Sequence, residues 1–213
     1  VDCARFATGD GAGLKARLGE SRPVVLFVGR LVEKKGVPVL LDAWARLQRT
    51  GAPPTAALWL VGDGDLRPQL QRQAQALGDG VRFFGRVPNN QLVDFYAAAD
   101  ICVTPSVVDA RGDTEGQGVV LLEAMAAGRA VVASRVGGIA EVVEHDATGV
   151  LVPPDDAPAL AQALGALLQN PSRARVLGQA GQHAARQHYD WPHIARRFQT
   201  LYESVLPTPA GAP

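Results

Sequence analysis

The sequence predicts an α/β protein built on a parallel, doubly wound sheet. Three observations lead there. Six short apolar runs, each with the length of a buried strand, are separated by segments whose apolar residues recur at helical spacing. Strands alternating with helices in this way belong in a parallel sheet with right-handed crossovers. The chemically distinctive residues follow the strand ends: Arg30, Asp63, Arg86, Ser106 and the loop 115–119. In such a sheet that is the edge where ligands bind.

Residues 1–22 are weakly patterned, with Gly9, Gly11 and Gly13 in a piece that reads as flexible. With no Met at its start, the segment reads as the remnant of an interdomain linker from a removed domain, with processing as the alternative. The folded unit is expected over residues 23–190. Val24-Val25-Leu26-Phe27-Val28 is its first strand. Gly36 and Pro38 introduce a helix to about Arg49, with Leu40, Leu41, Trp44 and Leu47 on one face. Residues 57–61 make the second strand, 66–77 a helix and 81–84 the third strand. Asn90 is placed to cap a helix through Ala99. Residues 101–104 form a fourth strand that Pro105 ends, 130–133 a fifth, and 149–152 a short sixth that Pro153-Pro154 ends. Helices are expected over about 157–168, 172–187 and 191–205. The tail 207–213, rich in Pro, Gly and Ala, is expected to be disordered.

Two glutamates carry the most functional information. Glu115 and Glu123 flank Gly116-Gln117-Gly118-Val119-Val120-Leu121-Leu122. The stretch reads as a Gly-rich loop opening a short helix, apolar on every face except at Glu123, and so a core helix. Burying even a neutral polar group without a partner costs roughly 2–7 kcal/mol. Glu123 therefore needs a fixed partner, from the protein or from a ligand. Glycines at 116 and 118 allow a ligand close to the backbone, and the first amides of the helix can bind an anion. Carboxylates on either side are pure acceptors, suited to sugar and ribose hydroxyls.

The first strand leads into Gly29-Arg30 and Glu33-Lys34-Lys35-Gly36. Arg30 and Lys35 could grip a diphosphate as a fork and a point charge. Alone, the segment reads as a solvated basic loop; beside the glutamate loop, the phosphate reading is preferred. Asp63-Gly64-Asp65 has the spacing of a divalent-metal motif but better fits a tight turn between strand and helix. Gly85-Arg86-Val87-Pro88 either borders a nucleobase, with Arg86 stacked on it, or simply turns the chain. Gly137-Gly138 either faces a donor sugar or turns the chain near the glutamate loop. His183, His188 and His193 fall on C-terminal helices as surface or packing residues, and His145-Asp146 sits in a turn.

Lys+Arg and Asp+Glu each number 21 in 213 residues, which argues against a general nucleic-acid binder. A hydrophobic content of 47% supports a substantial core. Cys3 and Cys102 have no metal-ligand spacing and suggest no disulfide framework, pointing to a reducing compartment. Cys102 reads as a small core residue. No apolar run is long enough to span a membrane.

Several of these segments fall in a recognisable order: Gly29-Arg30 with Lys34-Lys35-Gly36, Val61-Gly62-Asp63-Gly64, Phe84-Gly85-Arg86-Val87-Pro88, Glu115-Gly116-Gln117-Gly118 with Leu122-Glu123-Ala124-Met125-Ala126, and Val136-Gly137-Gly138-Ile139-Ala140-Glu141. Each is ordinary alone. The ordered set, over residues 20–206, resembles the C-terminal half of retaining glycosyltransferases of family 4, also called glycosyl transferases group 1. The resemblance implies a Rossmann-like domain forming one half of a GT-B enzyme. Val1 to Phe6 resembles the family's interdomain connection, and the helix at 191–206 its C-terminal crossover.

What the resemblance implies about roles follows residue by residue. Arg30 and Lys35 would hold the diphosphate, Glu115 the donor hexose and Glu123 the ribose. Gly116, Gln117 and Gly118 would form the donor loop, with amides near Gly118, Val119 and Val120 meeting phosphate oxygens. Arg86 and Val87 would border the base. Gln117 departs from the pattern, standing where many members have an aromatic or apolar residue. The implied activity is transfer of a hexose from a nucleoside diphosphate sugar to an acceptor hydroxyl with retention, with Arg30, Lys35 and Glu115 as the catalytic set. No cofactor or metal is implied, and no nucleic-acid partner. The acceptor would be bound by an absent N-terminal half. The isolated chain is then expected to bind donor but transfer poorly. A cytoplasmic location is implied, any contact with the inner face of a membrane being made through that absent half. A GT-B nucleotide-sugar epimerase fragment is one alternative; it would take its catalytic carboxylates and His from the absent half. A non-catalytic nucleotide-binding domain is the other, which a donor-binding assay separates from an enzyme fragment.

Overall fold

All six apolar runs become strands of one sheet. The computed structural model describes residues 1–49 and 56–206. In chain order the elements are α1 (Cys3–Phe6), α2 (Gly11–Leu18), β1 (Val24–Val28), α3 (Val37–Arg49), β2 (Ala57–Val61), α4 (Arg67–Gln75), β3 (Val81–Gly85), α5 (Asn89–Ala98), β4 (Ile101–Thr104), α6 (Val119–Ala126), β5 (Ala130–Ser134), α7 (Ile139–Val142), β6 (Val150–Val152), α8 (Ala157–Gln169), α9 (Pro171–His188) and α10 (Trp191–Val205). The strand order is β3-β2-β1-β4-β5-β6, and every neighbouring pair is parallel. This is the expected Rossmann-like sheet. The order runs outward in both directions from β1 and β4, which makes their junction the switch point.

Alternate residues of each strand enter two cores. Val24 and Leu26 of β1, with Trp59 of β2, pack with α1, α2, α5 and α6 on one face. Val25, Phe27, Leu58 and Leu60 pack with α3, α4 and α8 on the other. The two-sided burial explains why the strands read as continuous apolar runs rather than alternating ones. The helices of the β1–β2–β3 links share one face and those of the links through β4, β5 and β6 the other. One crossover hand produces that segregation when the strand order reverses direction.

Residues 1–22 correct the expectation of a flexible piece. They form α1 and α2, with Cys3, Phe6 and Leu14 buried. Gly9 and Gly11 pack against α5 so closely that an added Cβ would meet the Val93 carbonyl oxygen at 2.1 Å and that of Ala97 at 2.2 Å. Glycines that look flexible in sequence are here sites of close backbone approach. Beyond α2, Glu20 accepts two hydrogen bonds from the Arg22 guanidinium, Nε to Oε1 at 2.8 Å and Nη2 to Oε2 at 3.0 Å, and a third from the Arg22 amide at 3.1 Å. The Glu20 side chain is only 3% exposed, and Arg22 holds its carboxyl down to about 2.

The start of the chain also meets the start of α10. The Val1 amine donates to the Tyr189 carbonyl at 2.7 Å, and the Trp191 amide donates back to the Val1 carbonyl at 3.0 Å. Helix α10 then leaves the body: none of its residues is buried, and Trp191, Phe198, Leu201 and Tyr202 are all more than half exposed.

Two helix starts move. Helix α5 begins at Asn89 after Pro88, so Asn90 lies inside the first turn and caps nothing. Helix α9 begins at Pro171, with Asn170 Oδ1 accepting the Arg173 amide at 3.0 Å. The expected disordered tail, 207–213, lies outside the described residues. Among the described residues no helix is long and apolar enough to cross a membrane.

Candidate functional site

The switch point brings the loop after β1 against the loop after β4. The Val107 amide donates to the Lys34 carbonyl at 2.9 Å and ties the two together. Lys35 ends a short 3-10 turn, Glu33–Lys35, which aims its side chain across the junction. There Lys35 Nζ forms an ion pair with the Glu115 carboxylate; the two side chains are 12% and 15% exposed. Thus two residues from separate motifs meet directly. Arg30, by contrast, is exposed, and no hydrogen bond or ion pair involves its side chain among the described residues.

From Glu115 the loop passes through Gly116 and Gln117, both exposed. An added Cβ at Gly116 would meet nothing within 4 Å, so this backbone faces open space. Gly118 has φ +65°, the left-handed conformation that glycine adopts without strain, and it starts α6. The amides of Val119 and Val120 are the first of that helix and have no protein acceptor among the described residues. Val119 is 57% exposed, while Leu121, Leu122, Ala124, Met125 and Ala126 are buried. The body of α6 is the expected core helix, and its opening turn stands at the ligand edge of the sheet.

Glu123 lies one turn deeper, and its protein partner is Tyr96. The Tyr96 hydroxyl donates to Glu123 Oε2 at 2.7 Å, with the Val120 carbonyl oxygen 3.2 Å away. Burial raises the Glu123 carboxyl above the usual range, and the Tyr96 hydrogen bond opposes that rise. Burial also pushes the Tyr96 hydroxyl well above its ordinary value, so it remains a donor.

Gly137 and Gly138 brace the loop from behind. A Cβ on Gly137 would meet the Glu115 carbonyl oxygen at 2.0 Å, and one on Gly138 the Gly116 carbonyl oxygen at 2.0 Å. Their sequence reading left a turn or a ligand face open; here they abut the backbone of the glutamate loop.

The remaining candidates sit farther along the same edge. Arg86 is exposed and Val87 half-buried after β3, with no hydrogen bond or ion pair to the other candidates among the described residues. Asp63 accepts the Gly64 amide and the Arg67 guanidinium, each at 2.8 Å, as a turn residue should. The Gly64 bond chiefly, then Arg67, holds its carboxyl below the usual range. His145 Nδ1 accepts the Leu151 amide at 3.0 Å, a structural role for that turn. Cys102 is buried in β4, as expected of a small core residue. Gln117 borders a cavity of about 510 Å³ that α10 lines with Arg197, Phe198 and Leu201.

Two features escaped the sequence reading: the Lys35–Glu115 contact and the role of Tyr96. A buried tyrosine needs an acceptor for its hydroxyl, and an unpartnered buried carboxylate needs a donor. Pairing those two requirements was the available signal.

Comparison with known proteins gives this geometry its context. Residues 22–170 match the family described as "Glycosyl transferases group 1". The chain is 40% identical over 208 residues to a GDP-mannose-dependent alpha-(1-6)-phosphatidylinositol monomannoside mannosyltransferase of Mycolicibacterium smegmatis, covering 94% of this chain and 54% of the relative. It is 38% identical over 223 residues to a D-inositol 3-phosphate glycosyltransferase of Segniliparus rotundus, covering 100% and 47%. Among solved structures, sucrose-phosphate synthase from Thermosynechococcus elongatus superposes with TM-score 0.81 at 35% identity, covering 96% of this chain and 51% of that one. Anabaena HepE in complex with UDP-glucose superposes with TM-score 0.84 at 28% identity, covering 96% and 56%. The chain spans about half the length of the curated relatives it matches.

Proposed function

Because the chain belongs to the group 1 glycosyltransferases, we propose that it is the donor-binding half of a retaining GT-B hexosyltransferase. The observation that carries this reading is the meeting of Lys35 and Glu115 beside the open amides of α6. One point of the sheet edge thereby offers a cation, two N–H donors and a carboxylate. A nucleoside diphosphate sugar needs that combination: positive partners for the diphosphate and pure acceptors for the hydroxyls.

In this reading Arg30, Lys35 and the Val119 and Val120 amides hold the diphosphate. As the bond between the anomeric carbon and the diphosphate oxygen breaks, its electron pair stays with that oxygen. Fixed donors stabilise the growing charge without reorganising. Glu115 accepts from the hexose, and Glu123 from the ribose. Arg86 and Val87 border the base, and no metal is required. The names of the relatives support a GDP-mannose donor with a phosphatidylinositol monomannoside acceptor, or an inositol 3-phosphate acceptor. The acceptor hydroxyl would be presented by a second, N-terminal half, on the cytoplasmic side of a membrane when the acceptor is a lipid.

Titration calorimetry of the purified chain in the presence of a chelator tests this. GDP-mannose and GDP are expected to bind without added metal. Strict dependence on magnesium or manganese, or no binding of GDP-mannose, GDP or UDP-glucose, would overturn it.

A further inference from the structure

We propose that Tyr96 is a positioning residue for the nucleotide: its hydroxyl holds Glu123 Oε2, leaving Oε1 to accept the ribose hydroxyls. The inference rests on the reading of Glu123 as the ribose contact and adds a residue that never touches the ligand.

Three observations carry it. Tyr96 is 1% exposed and its ring stacks edge-on against Phe6, centroids 5.5 Å apart, so its hydroxyl has a fixed place. That hydroxyl is the sole hydrogen-bond partner of the Glu123 carboxylate among the described residues. One carboxylate oxygen is therefore engaged and the other is not, in a group only partly exposed at the edge of the core. The free oxygen is not among the buried unpartnered polar atoms of the described residues, so it is reachable from outside and open to a ligand hydroxyl. Without the phenol, χ rotation would scatter the acceptor that the ribose must meet.

The hydrogen bond has a second effect. Burial favours the neutral form of Glu123, and the bond from Tyr96 favours the charged form, the better acceptor. The other side chain facing this carboxylate is Arg5 on α1, which also favours the charge. Cys102 on β4 faces Tyr96, and its thiol is pushed up to about 12 by burial, so it stays neutral over the working range.

The test uses the full chain with GDP and 2′,3′-dideoxy-GDP as probes. Wild type should prefer GDP. Tyr96→Phe should lose about tenfold in GDP affinity and almost nothing for the dideoxy probe. It should also move the acid midpoint of the ribose preference to higher pH. In a Glu123→Gln background the same change should leave the preference alone. A merely structural Tyr96 would weaken both probes equally and leave the midpoint in place, and that result overturns the proposal. If Tyr96→Phe does not fold, 3-fluorotyrosine labelling of a chain carrying Tyr189→Phe and Tyr202→Phe strengthens the same donor. The midpoint should then fall, and an unmoved midpoint is equally fatal. Wild type that binds both probes equally removes the ribose reading itself, and this proposal with it. A Glu123→Gln variant that loses the preference while Tyr96→Phe keeps it sinks the proposal alone.

Discussion

Lys35 and Glu115, 80 residues apart in sequence, neutralise each other at the junction of β1 and β4. In the proposed reaction they serve different parts of the donor, the diphosphate and the hexose. Before the donor arrives, each therefore occupies the other's binding capacity.

Glu115→Gln should separate these roles. Gln removes the charge that competes for Lys35, so affinity for bare GDP should rise by up to about fivefold, the upper end of what an ion pair open to solvent contributes. Affinity for GDP-mannose should fall relative to GDP, because the sugar loses a charged acceptor. Titration of both ligands checks this. Equal weakening of the two would take Glu115 out of the sugar site.

Arg30→Ala should leave folding alone. The side chain is exposed and makes no hydrogen bond or ion pair among the described residues, so unfolding free energy should change by no more than about 0.5 kcal/mol. GDP affinity should drop by about 1.5–3 kcal/mol, the worth of a hydrogen bond to a charged group, while guanosine affinity stays constant. A loss shared by guanosine would place Arg30 elsewhere.

Gly138→Ala probes the brace behind the donor loop. Gly138 has ordinary helical φ −70°, so the backbone itself tolerates alanine. The new Cβ would meet the Gly116 carbonyl oxygen at 2.0 Å and must push the loop outward. A stability loss of about 1–3 kcal/mol is expected from overpacking, together with weaker GDP-mannose binding. Urea melts and titration on the same sample would show both. Unchanged affinity would mean that the loop yields without moving the site.

Acid should weaken the fold through Glu20. Its carboxyl is lowered from an ordinary 4.5 to about 2 in the folded chain. A depressed carboxyl stabilises fully above its unfolded value, and that contribution disappears as pH falls from 4.5 towards 2. Glu20→Gln should lower stability at neutral pH by about 2 kcal/mol, allowing for the partial exposure of Arg22. The gap to wild type should close near pH 2. Urea melts across that range test the sign; a gap that widens in acid would refute it.

The sheet was legible because every strand but the half-buried edge strand β3 is buried and leaves a continuous apolar run, as in Val24 to Val28 and Ala57 to Val61. The candidate residues were legible by type and by their position after strand ends. Contacts between distant segments were not. Nothing near Lys35 in sequence announces Glu115, and Tyr96, beside Phe95 on the buried side of α5, looks like any core aromatic until its hydroxyl is traced to Glu123. Gly9 and Gly11 misled for a related reason: the composition that permits flexibility also permits the closest packing, and only the neighbouring α5 decides between them.

The junction of β1 and β4 has a kinetic consequence. Its pairing, which includes the Val24 amide bonded to Asp100, closes a span of 76 residues. The entropy of that closure is lost before the contacts across it form. Arg30 and Lys35 ride on one side of the seam, and Glu115 and Glu123 on the other, so neither half offers a binding surface until the seam has zipped. A nucleotide would meet such a chain only after the folding barrier has been crossed. It would then slow the escape from the native state and leave the speed of arrival unchanged.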